Sequence, residues 1–320
     1  MIKKLYFLAC FLLIIFIGGL FFSGPLSQKK IITIPYGSSV NTIATLLENN
    51  NIIYNKYIFL AYVKILFIKN SFIFGEFEIQ QNINLYSLIR YITSDKNILS
   101  YKFILIEGYT TKQALDLLNA ENNLLGEISI DVKEGELMPD TYFFKKNDSK
   151  DSIILRMKKS MEDYLLKQWQ NRDKSLPYKN MQQALILASL VEKETTLAKE
   201  RSIIASVFLN RLRIGIPLQT DPSIAYALGR ENADKLTKAD LKFKSPYNTY
   251  LNYGLTPTPI ANPSRGCIDA VFNPASTKYL YFVADGKGGH IFAENLVEHN
   301  KNVAKWRKIE KNIRLHQKNN

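Results

Sequence analysis

The sequence predicts a mixed α+β fold with three parts: an N-terminal transmembrane helix, a small α/β module and a larger α+β domain. Three observations lead to this prediction. An unbroken apolar run opens the chain, two β-type runs bracket a pair of helical patterns after it, and long helical patterns dominate from residue 151 onward. We place the boundaries at residues 1–24, 25–100 and 101–320.

The apolar run at residues 5–22 predicts a membrane anchor. About 18 helical residues span roughly 27 Å, close to the hydrocarbon thickness of a bilayer. Lys3 and Lys4 precede the run, so the positive-inside rule keeps the N-terminus in the cytoplasm and exports the remainder. A cleaved signal peptide and a lipid on Cys10 are the alternatives, but the length of the run favours an uncleaved anchor. We therefore expect a single-pass protein of the cytoplasmic (inner) membrane, with its larger domain on the outer, periplasmic side.

The small module has the pattern strand–helix–helix–strand. Residues 31–34 and 74–79 are β-type runs, and residues 57–68 form an apolar helix. The helix before it carries its apolar residues on one face: Val40, Ile43, Ala44 and Leu47. Residues 103–106 begin a similar strand–glycine–cap–helix pattern, which aligns Gly108 with Gly37. An internal repeat and ordinary turn chemistry both explain that echo.

The larger domain is predicted to be mostly helical up to a proline-rich stretch. Residues 153–169 form an amphipathic helix, and residues 181–213 contain at least one long apolar helix. Six prolines lie between residues 217 and 263, which predicts loops. Residues 279–284 then form a strand, and a glycine-rich turn at residues 285–289 leads into a second one.

Composition excludes several classes of function. Lys and Arg number 42 against 29 Asp and Glu, a net charge of +13, but no zinc finger, RNA-binding signature or basic zipper accompanies the excess. Nucleic acid is therefore not an expected partner. Two cysteines and three histidines, without an HExxH pair, give no zinc site, and no GxSxG elbow or phosphate-binding glycine loop is present. Carboxylate chemistry remains, and a metal site is not expected.

The best candidate for such chemistry is Glu194. On a helical wheel with Leu187 at the centre of the apolar face, Glu194 falls at about 340° and Glu192 at about 140°. A carboxyl group on an apolar face is costly to ionise, which raises its pKa and suits it to general acid catalysis near neutral pH. The structural alternative is a buried glutamate paired with an arginine such as Arg201 or Arg211.

Four strings of residues carry a family resemblance. They are Pro-Asp-Thr-Tyr at 139–142, Glu-Lys-Glu-Thr at 192–195, Gln-Thr-Asp-Pro at 219–222 and Tyr-Asn-Thr-Tyr at 247–250. Together they resemble the membrane-anchored endolytic murein transglycosylases, the MltG or YceG-like family, from the N-terminal run to about residue 306. The resemblance implies a LysM-like module at residues 25–100 and a YceG-like catalytic domain at residues 101–320, with Glu194 on a helical catalytic segment.

The resemblance also implies a mechanism and partners. Glu194 protonates the oxygen that links N-acetylmuramic acid to N-acetylglucosamine, then takes the proton of the muramic acid 6-hydroxyl as a 1,6-anhydro end forms. The substrate is the nascent glycan strand of peptidoglycan, and peptidoglycan synthases are the implied neighbours. Residues of suitable type for holding the glycan are Gln219, Asp221, Tyr247, Asn248, Tyr250, Asp140 and Tyr142.

Other readings stay open at this point. Asp221 and Asp140 can equally cap a helix or a turn. A hydrolase would pair Glu194 with Asp221 or Asp140, and Asp285 is a further candidate for a second carboxylate. A non-catalytic glycan-binding scaffold is the third possibility, with the LysM-like module as its active part.

Overall fold

The structure is a computed structural model with a mixed α+β fold, and it describes residues 10–11, 13–14, 17–18, 22–66, 72–230 and 236–318, with side chains up to residue 311. Ten α-helices and six short strands lie in this part of the chain. The strands are β1 (Lys30–Ile34), β2 (Gly75–Ile79), β3 (Ser100–Ile104), β4 (Thr141–Lys145), β5 (Tyr281–Ala284) and β6 (His290–Ala293). The helices are α1 (Val40–Asn49), α2 (Lys56–Ile65), α3 (Leu85–Ile92), α4 (Thr111–Asn119), α5 (Lys150–Asn171), α6 (Met181–Glu194), α7 (Ala198–Arg213), α8 (Asp221–Ala227), α9 (Arg265–Phe272) and α10 (Leu296–Lys318).

The predicted anchor at residues 5–22 lies largely outside the described residues. In the part of the chain that the structure describes, no helix has both the length and the apolar character that a bilayer crossing requires.

The chain divides into two compact units. The first comprises Met1–Lys102 with Asn123–Leu125 and Phe143–Asp148, and the second comprises the remaining residues. In the first unit, β1 and β2 pair antiparallel, with Ile32 opposite Phe77, and α1, α2 and α3 complete a small α+β core. Alternation along β1 buries Ile32 and Ile34 and exposes Ile31 and Thr33, as expected for a sheet with one buried face.

One local pattern starts four of the helices. In each case the capping residue accepts, through its side chain, the backbone N–H of the residue three positions later. Two positions before the capping residue lies a residue with a left-handed backbone conformation. The pairs are Gly37 and Ser39, Asn82 and Asn84, Gly108 and Thr110, and Asn147 and Ser149. Two of these use asparagine instead of glycine, because asparagine also tolerates this conformation. The echo between Gly37 and Gly108 is thus part of a wider use of the same turn chemistry.

The second unit is built around α6. Every residue of α6 from Ala184 to Val191 is buried, and α5, α7, α8 and α9 pack against the helix. A helix that is buried all round has no polar face, so the helical wheel separates Glu194 from Glu192 less sharply than predicted. Glu192 also points into the protein, where its carboxylate accepts the N–H of Ser264 at 2.7 Å at the start of α9.

One predicted helical region divides into two helices, and one strand boundary differs from the sequence prediction. Residues 181–213 form two helices, α6 and α7, separated by a short extended segment that begins at Thr195. The strand expected at residues 103–106 is β3, which begins at Ser100 and pairs with β4 in a two-stranded sheet. The first difference determines where Glu194 lies.

Candidate active site

Glu194 is the last residue of α6, and the chain leaves the helix immediately after it. Thr195 has an extended backbone, with φ −145° and ψ 138°, and its hydroxyl oxygen accepts the N–H of Leu197 at 3.1 Å. That local hydrogen bond gives the backbone an alternative to a further helical turn. The Glu194 side chain therefore projects from the C-terminal end of a buried helix.

The carboxyl group of Glu194 is partly buried, and this position favours its protonated form. Burial is the main cause that raises its pKa from 4.5 to about 7. The C-terminal end of α6 carries a partial negative charge, which also disfavours ionisation. Thr220 opposes both effects, because its hydroxyl donates to Glu194 Oε2 at 2.7 Å and stabilises the carboxylate. Such a group can give and take a proton near neutral pH.

Three charged side chains from different elements also act on Glu194. His290 at the start of β6 and Arg211 on α7 lower its pKa, whereas Asp221 at the start of α8 raises it. Among the described residues, Glu194 accepts its side-chain hydrogen bond from a threonine and not from an arginine. The alternative of a glutamate paired with Arg201 or Arg211 is therefore not what the structure shows, since Arg201 lies 3.5 Å from Glu107.

Thr220 is held in place by a buried group of hydroxyls. Its N–H donates to Thr249 Oγ1 at 3.0 Å, and Thr249 Oγ1 lies 2.9 Å from Ser223 Oγ. The N–H of Gln219 donates to the carbonyl oxygen of Thr249 at 3.1 Å. Gln219 itself has φ 52°, a left-handed conformation that costs energy in a residue other than glycine. Strain of this kind persists only where the surrounding contacts impose it.

Arg211 supports the same loop from inside the protein. Its side chain is 7% exposed, and Nη1 donates to the carbonyl oxygens of Pro217 and Leu218 at 2.9 Å and to Gln219 Oε1 at 3.2 Å. Nε donates to the carbonyl oxygen of Leu280 at 2.6 Å, which ties the loop to the start of β5. A guanidinium group can serve so many acceptors because it presents five N–H donors in one plane.

Asp221 and Tyr250 form a hydrogen-bonded pair beside Glu194. Tyr250 Oη donates to Asp221 Oδ1 at 2.6 Å, and the Asp221 side chain is exposed while that of Tyr250 is partly buried. Burial, the bond to Asp221 and the nearby charge of Glu194 all raise the pKa of Tyr250, so its hydroxyl stays protonated. The structure thus brings Glu194, Gln219, Asp221 and Tyr250 together, as the sequence analysis expects of a site.

Tyr247 and Asn248 belong to the same loop but have internal roles. Asn248 is fully buried; its Nδ2 donates to two backbone carbonyl oxygens at 3.0 and 2.8 Å, and its Oδ1 accepts the N–H of Tyr250 at 2.9 Å. Tyr247 Oη lies 2.8 Å from Thr258 Oγ1, and its ring contacts Tyr226 with centroids 5.1 Å apart. These contacts shape the loop that carries Tyr250.

The remaining predicted residues make contacts outside this group. Asp140 pairs with Arg265 at 3.0 Å on the surface. Tyr142 is buried, donates to the carbonyl oxygen of Met138 at 2.7 Å, and has a pKa raised by burial to about 12. Asp285 accepts the N–H of Gly289 at 3.0 Å and fixes the turn between β5 and β6.

Comparison with known proteins identifies the family. The sequence profile described as the YceG-like family matches residues 32–305. The chain belongs to the YceG-like family.

Related proteins agree with that assignment. An endolytic murein transglycosylase of Bacillus subtilis (strain 168) is 35% identical over 308 residues, which cover 86% of this chain and 84% of the relative. An endolytic murein transglycosylase of Streptococcus pneumoniae D39 is 37% identical over 177 residues, 53% of this chain and 32% of that protein. The crystal structure of a yceG-like protein of Listeria monocytogenes matches with a TM-score of 0.51 and 33% identity, over 86% of this chain and 99% of that one.

Sequence reasoning does not identify several residues that the structure places around Glu194. Thr220 lies inside the Gln-Thr-Asp-Pro string, yet only the folded loop shows that its hydroxyl bonds Glu194. His290 is one of the three histidines that the sequence analysis discusses only as metal ligands, and its position after the predicted glycine-rich turn is the available signal. Its partner Glu200 is distant in sequence, so that pairing depends on the tertiary structure.

Proposed function

We propose that this protein is an endolytic lytic transglycosylase of peptidoglycan in which Glu194 is the single proton-transferring residue. The observation that carries the proposal is the Glu194 carboxyl group at the end of a buried helix, with a pKa raised to about 7 and a hydrogen bond from Thr220. The printed names of its relatives, endolytic murein transglycosylases, support the substrate class. The chain spans most of the Bacillus subtilis relative.

In the first step, protonated Glu194 acts as the general acid. Its proton goes to the oxygen that links C1 of N-acetylmuramic acid to C4 of N-acetylglucosamine, and the C1–O bond breaks. A carboxyl group with a pKa near the working pH is efficient here, because it is protonated before the transfer and a stable anion after it.

In the second step, the Glu194 carboxylate acts as the base. It takes the proton of the 6-hydroxyl of the same muramic acid while that oxygen bonds to C1, which leaves a 1,6-anhydro end and restores the acid. The attacking hydroxyl already belongs to the bound sugar, so its effective concentration is high and no water is consumed. The two steps together conserve protons and atoms with one carboxyl group and without a cofactor.

The neighbouring residues are proposed to hold the glycan in different ways. The exposed side chains of Gln219 and Asp221 offer an amide and a carboxylate to sugar hydroxyls, and the ring of Tyr250 offers an apolar face. Tyr247 and Asn248 act by positioning the loop, as their internal hydrogen bonds suggest. Asp140 and Tyr142 have their contacts away from Glu194, and their binding of glycan stays a prediction of the sequence.

A hydrolase is the second candidate function, and Asp221 is the observation that favours it. Its carboxylate is exposed, is held by Tyr250, and lies near enough to Glu194 to raise the pKa of that residue. A carboxylate in such a position could activate water, and the product would then be a reducing end instead of an anhydro end.

The location of the protein is also a proposal. We place residues 5–22 in the cytoplasmic membrane, with the N-terminus inside, so that the enzyme reaches glycan strands near their site of synthesis and terminates their elongation. The LysM-like module at residues 25–100 is proposed to bind glycan, and peptidoglycan synthases are the proposed neighbours.

Product analysis tests the proposal. The full chain in detergent is incubated with purified uncrosslinked glycan strands, and the fragments are measured by mass spectrometry. We expect 1,6-anhydro ends at internal positions, one water lighter per cut than hydrolysis products. Glu194→Gln, which keeps the shape of the side chain, should abolish cleavage but retain glycan binding in a pull-down. Reducing ends would favour the hydrolase, and undiminished cleavage by Glu194→Gln would refute the role of Glu194.

A further inference from the structure

Glu200 and His290 form a hydrogen-bonded pair close to Glu194. Glu200 lies in the first turn of α7 and is 6% exposed. Its Oε1 accepts the backbone N–H of His290 at 3.0 Å, and its Oε2 lies 2.8 Å from His290 Nδ1. Because a carboxylate only accepts, Nδ1 carries a hydrogen and donates it to Glu200, and with a second hydrogen on Nε2 the ring is a cation. Both oxygens of one carboxylate thus fix the backbone and the ring of one histidine.

The backbone before His290 is adapted to this contact. A Cβ atom on Gly289 would lie 2.6 Å from Glu200 Oε1, so a side chain at this position would displace the carboxylate. Asp285 accepts the N–H of Gly289 and holds the turn in place. The imidazole is further bordered by Phe282 of β5, with ring centroids 5.2 Å apart. These contacts define a single orientation for the ring.

The pair is linked to Glu194 in two ways. Thr195, the next residue in the chain, donates its hydroxyl to Glu200 Oε2 at 3.4 Å. In addition, the charge of His290 acts on Glu194 and lowers its pKa. The carboxylate that orients the histidine therefore also accepts a hydrogen bond from the side chain of the residue that follows Glu194.

We infer that His290, oriented by Glu200, is a positioning residue whose positive charge stabilises the Glu194 carboxylate between its two proton transfers. This inference rests on the proposed function. His290 gives and takes no proton in the reaction; it stabilises the anion that exists after the glycosidic oxygen is protonated and before the 6-hydroxyl proton is returned. An opposite charge held at a fixed position acts without reorganisation during the step.

The other charged groups around Glu194 have further partners or act in the opposite direction. Arg211 also lowers the pKa of Glu194, but its guanidinium donates to the carbonyl oxygens of the loop. Asp221 at the start of α8 acts in the opposite direction, and Tyr250 is engaged with Asp221. Of the groups that face Glu194 from α7, α8, β6 and the Tyr250 loop, His290 is the one whose ring is held by a buried carboxylate.

The test compares pH–rate profiles of variants of the full chain acting on uncrosslinked glycan strands. His290→Gln removes the charge but keeps a donor for Glu200. We expect kcat to fall on the order of tenfold, with KM nearly unchanged. The pH at which the rate falls on the alkaline side of the profile should rise by roughly half a unit or more, because Glu194 loses a neighbour that favours its ionised form. Glu200→Gln should lower kcat and raise this pH by smaller amounts.

Lys287→Gln is the matched control, since it removes an exposed positive charge from the same turn, and it should leave both quantities unchanged. If His290→Gln has the kcat of the wild type and the same alkaline fall in its pH–rate profile, the inference is overturned. If circular dichroism shows that His290→Gln does not fold, the pH–rate profile of Glu200→Gln decides. An alkaline fall at the wild-type pH overturns the inference, and a fall at higher pH supports it. Cleavage that persists in Glu194→Gln would instead refute the proposed function, so the two failures are distinguishable.

Discussion

Thr220 donates its hydroxyl hydrogen to Glu194 Oε2 across 2.7 Å, and Thr220 is itself almost completely buried. Thr220 directly precedes α8, and Glu194 is the last residue of α6. The hydrogen bond therefore joins the start of one helix to the end of another. It stabilises the anionic form of a carboxyl group that burial otherwise keeps protonated. The balance between these effects determines the pH range in which Glu194 can act as both acid and base.

Thr220→Val should disturb this balance with little change of shape. Without the hydroxyl, the Glu194 carboxylate loses a hydrogen bond of about 1–3 kcal/mol, so its pKa rises further and the acid gives up its proton less readily. We expect kcat to fall by about tenfold or more and the high-pH limb to move upward. Stopped assays over a pH series measure both effects. Thr220→Ser retains the hydroxyl and should behave much like the wild type; equal losses in both variants would contradict the argument.

The wild-type pH profile follows from the pKa of Glu194. The first step requires the protonated acid, so cleavage should decrease as pH rises through about 7. An unperturbed glutamate, with a pKa of 4.5, would place that decrease more than two units lower. Initial rates of anhydro-end formation, measured from about pH 3 to pH 9, locate this decrease, and a decrease centred near pH 4.5 would show that burial does not perturb Glu194 in solution.

The same pKa predicts how stability depends on pH. A carboxyl group whose pKa is higher in the folded state than its ordinary value favours folding while it is protonated, below about 4.5, and loses this contribution as pH rises through about 7. Glu194→Gln does not titrate, so relative to the wild type it should gain stability between pH 5 and pH 8, by about 3 kcal/mol at most because the side chain is partly exposed. Urea unfolding at both pH values measures this gain. Glu162→Gln, a change at an exposed position on α5, should show no such trend.

Much of the fold follows from patterns that are local in sequence. The strand–cap–helix units have their signals within a few residues: alternating apolar residues, a glycine or asparagine, then a capping side chain such as Ser39 or Thr110. The sequence does not locate the break after Glu194, because an apolar pattern continues into α7. Its cause is the Thr195 hydroxyl, which accepts the N–H of Leu197 instead of letting the helix continue.

The site was predictable only in part, for a physical reason. Glu194 could be singled out because a carboxyl group in an apolar segment is costly at any position. Its partners could not, because Thr220, Arg211 and His290 reach it from other elements. Their arrangement depends on the packing of α6, α7, α8 and β6, which residue spacing does not encode. Glu192 illustrates the limit: the helical wheel directs it outward, whereas Ser264 holds it inside.

Replacing Arg211 should affect both stability and catalysis. Arg211→Met would leave the carbonyl oxygens of Pro217, Leu218 and Leu280 without their donor, and each unpaired buried acceptor costs about 1–3 kcal/mol. We expect a loss of roughly 3 kcal/mol or more in urea unfolding, and reduced cleavage because the loop that carries Thr220 is no longer held. Arg213→Met, at the exposed end of the same helix, is the control and should cost little. Equal stabilities of the two variants would refute this role for Arg211.

Gln219 allows glycan binding to be separated from folding. Its left-handed backbone, with φ 52°, costs about 1 kcal/mol in a residue with a Cβ atom, so Gln219→Gly relieves strain while it removes the exposed amide. We expect a free energy of unfolding within about 1 kcal/mol of the wild type. The KM for glycan strands should rise about tenfold, with kcat changed less, because a side chain that binds the sugar equally in the ground state and the transition state contributes to KM. Gln219→Asn also tolerates the backbone conformation but is too short to reach the same position, so it should share the higher KM. An unchanged KM in both variants would mean that the side chain serves the Arg211 contact and not the glycan.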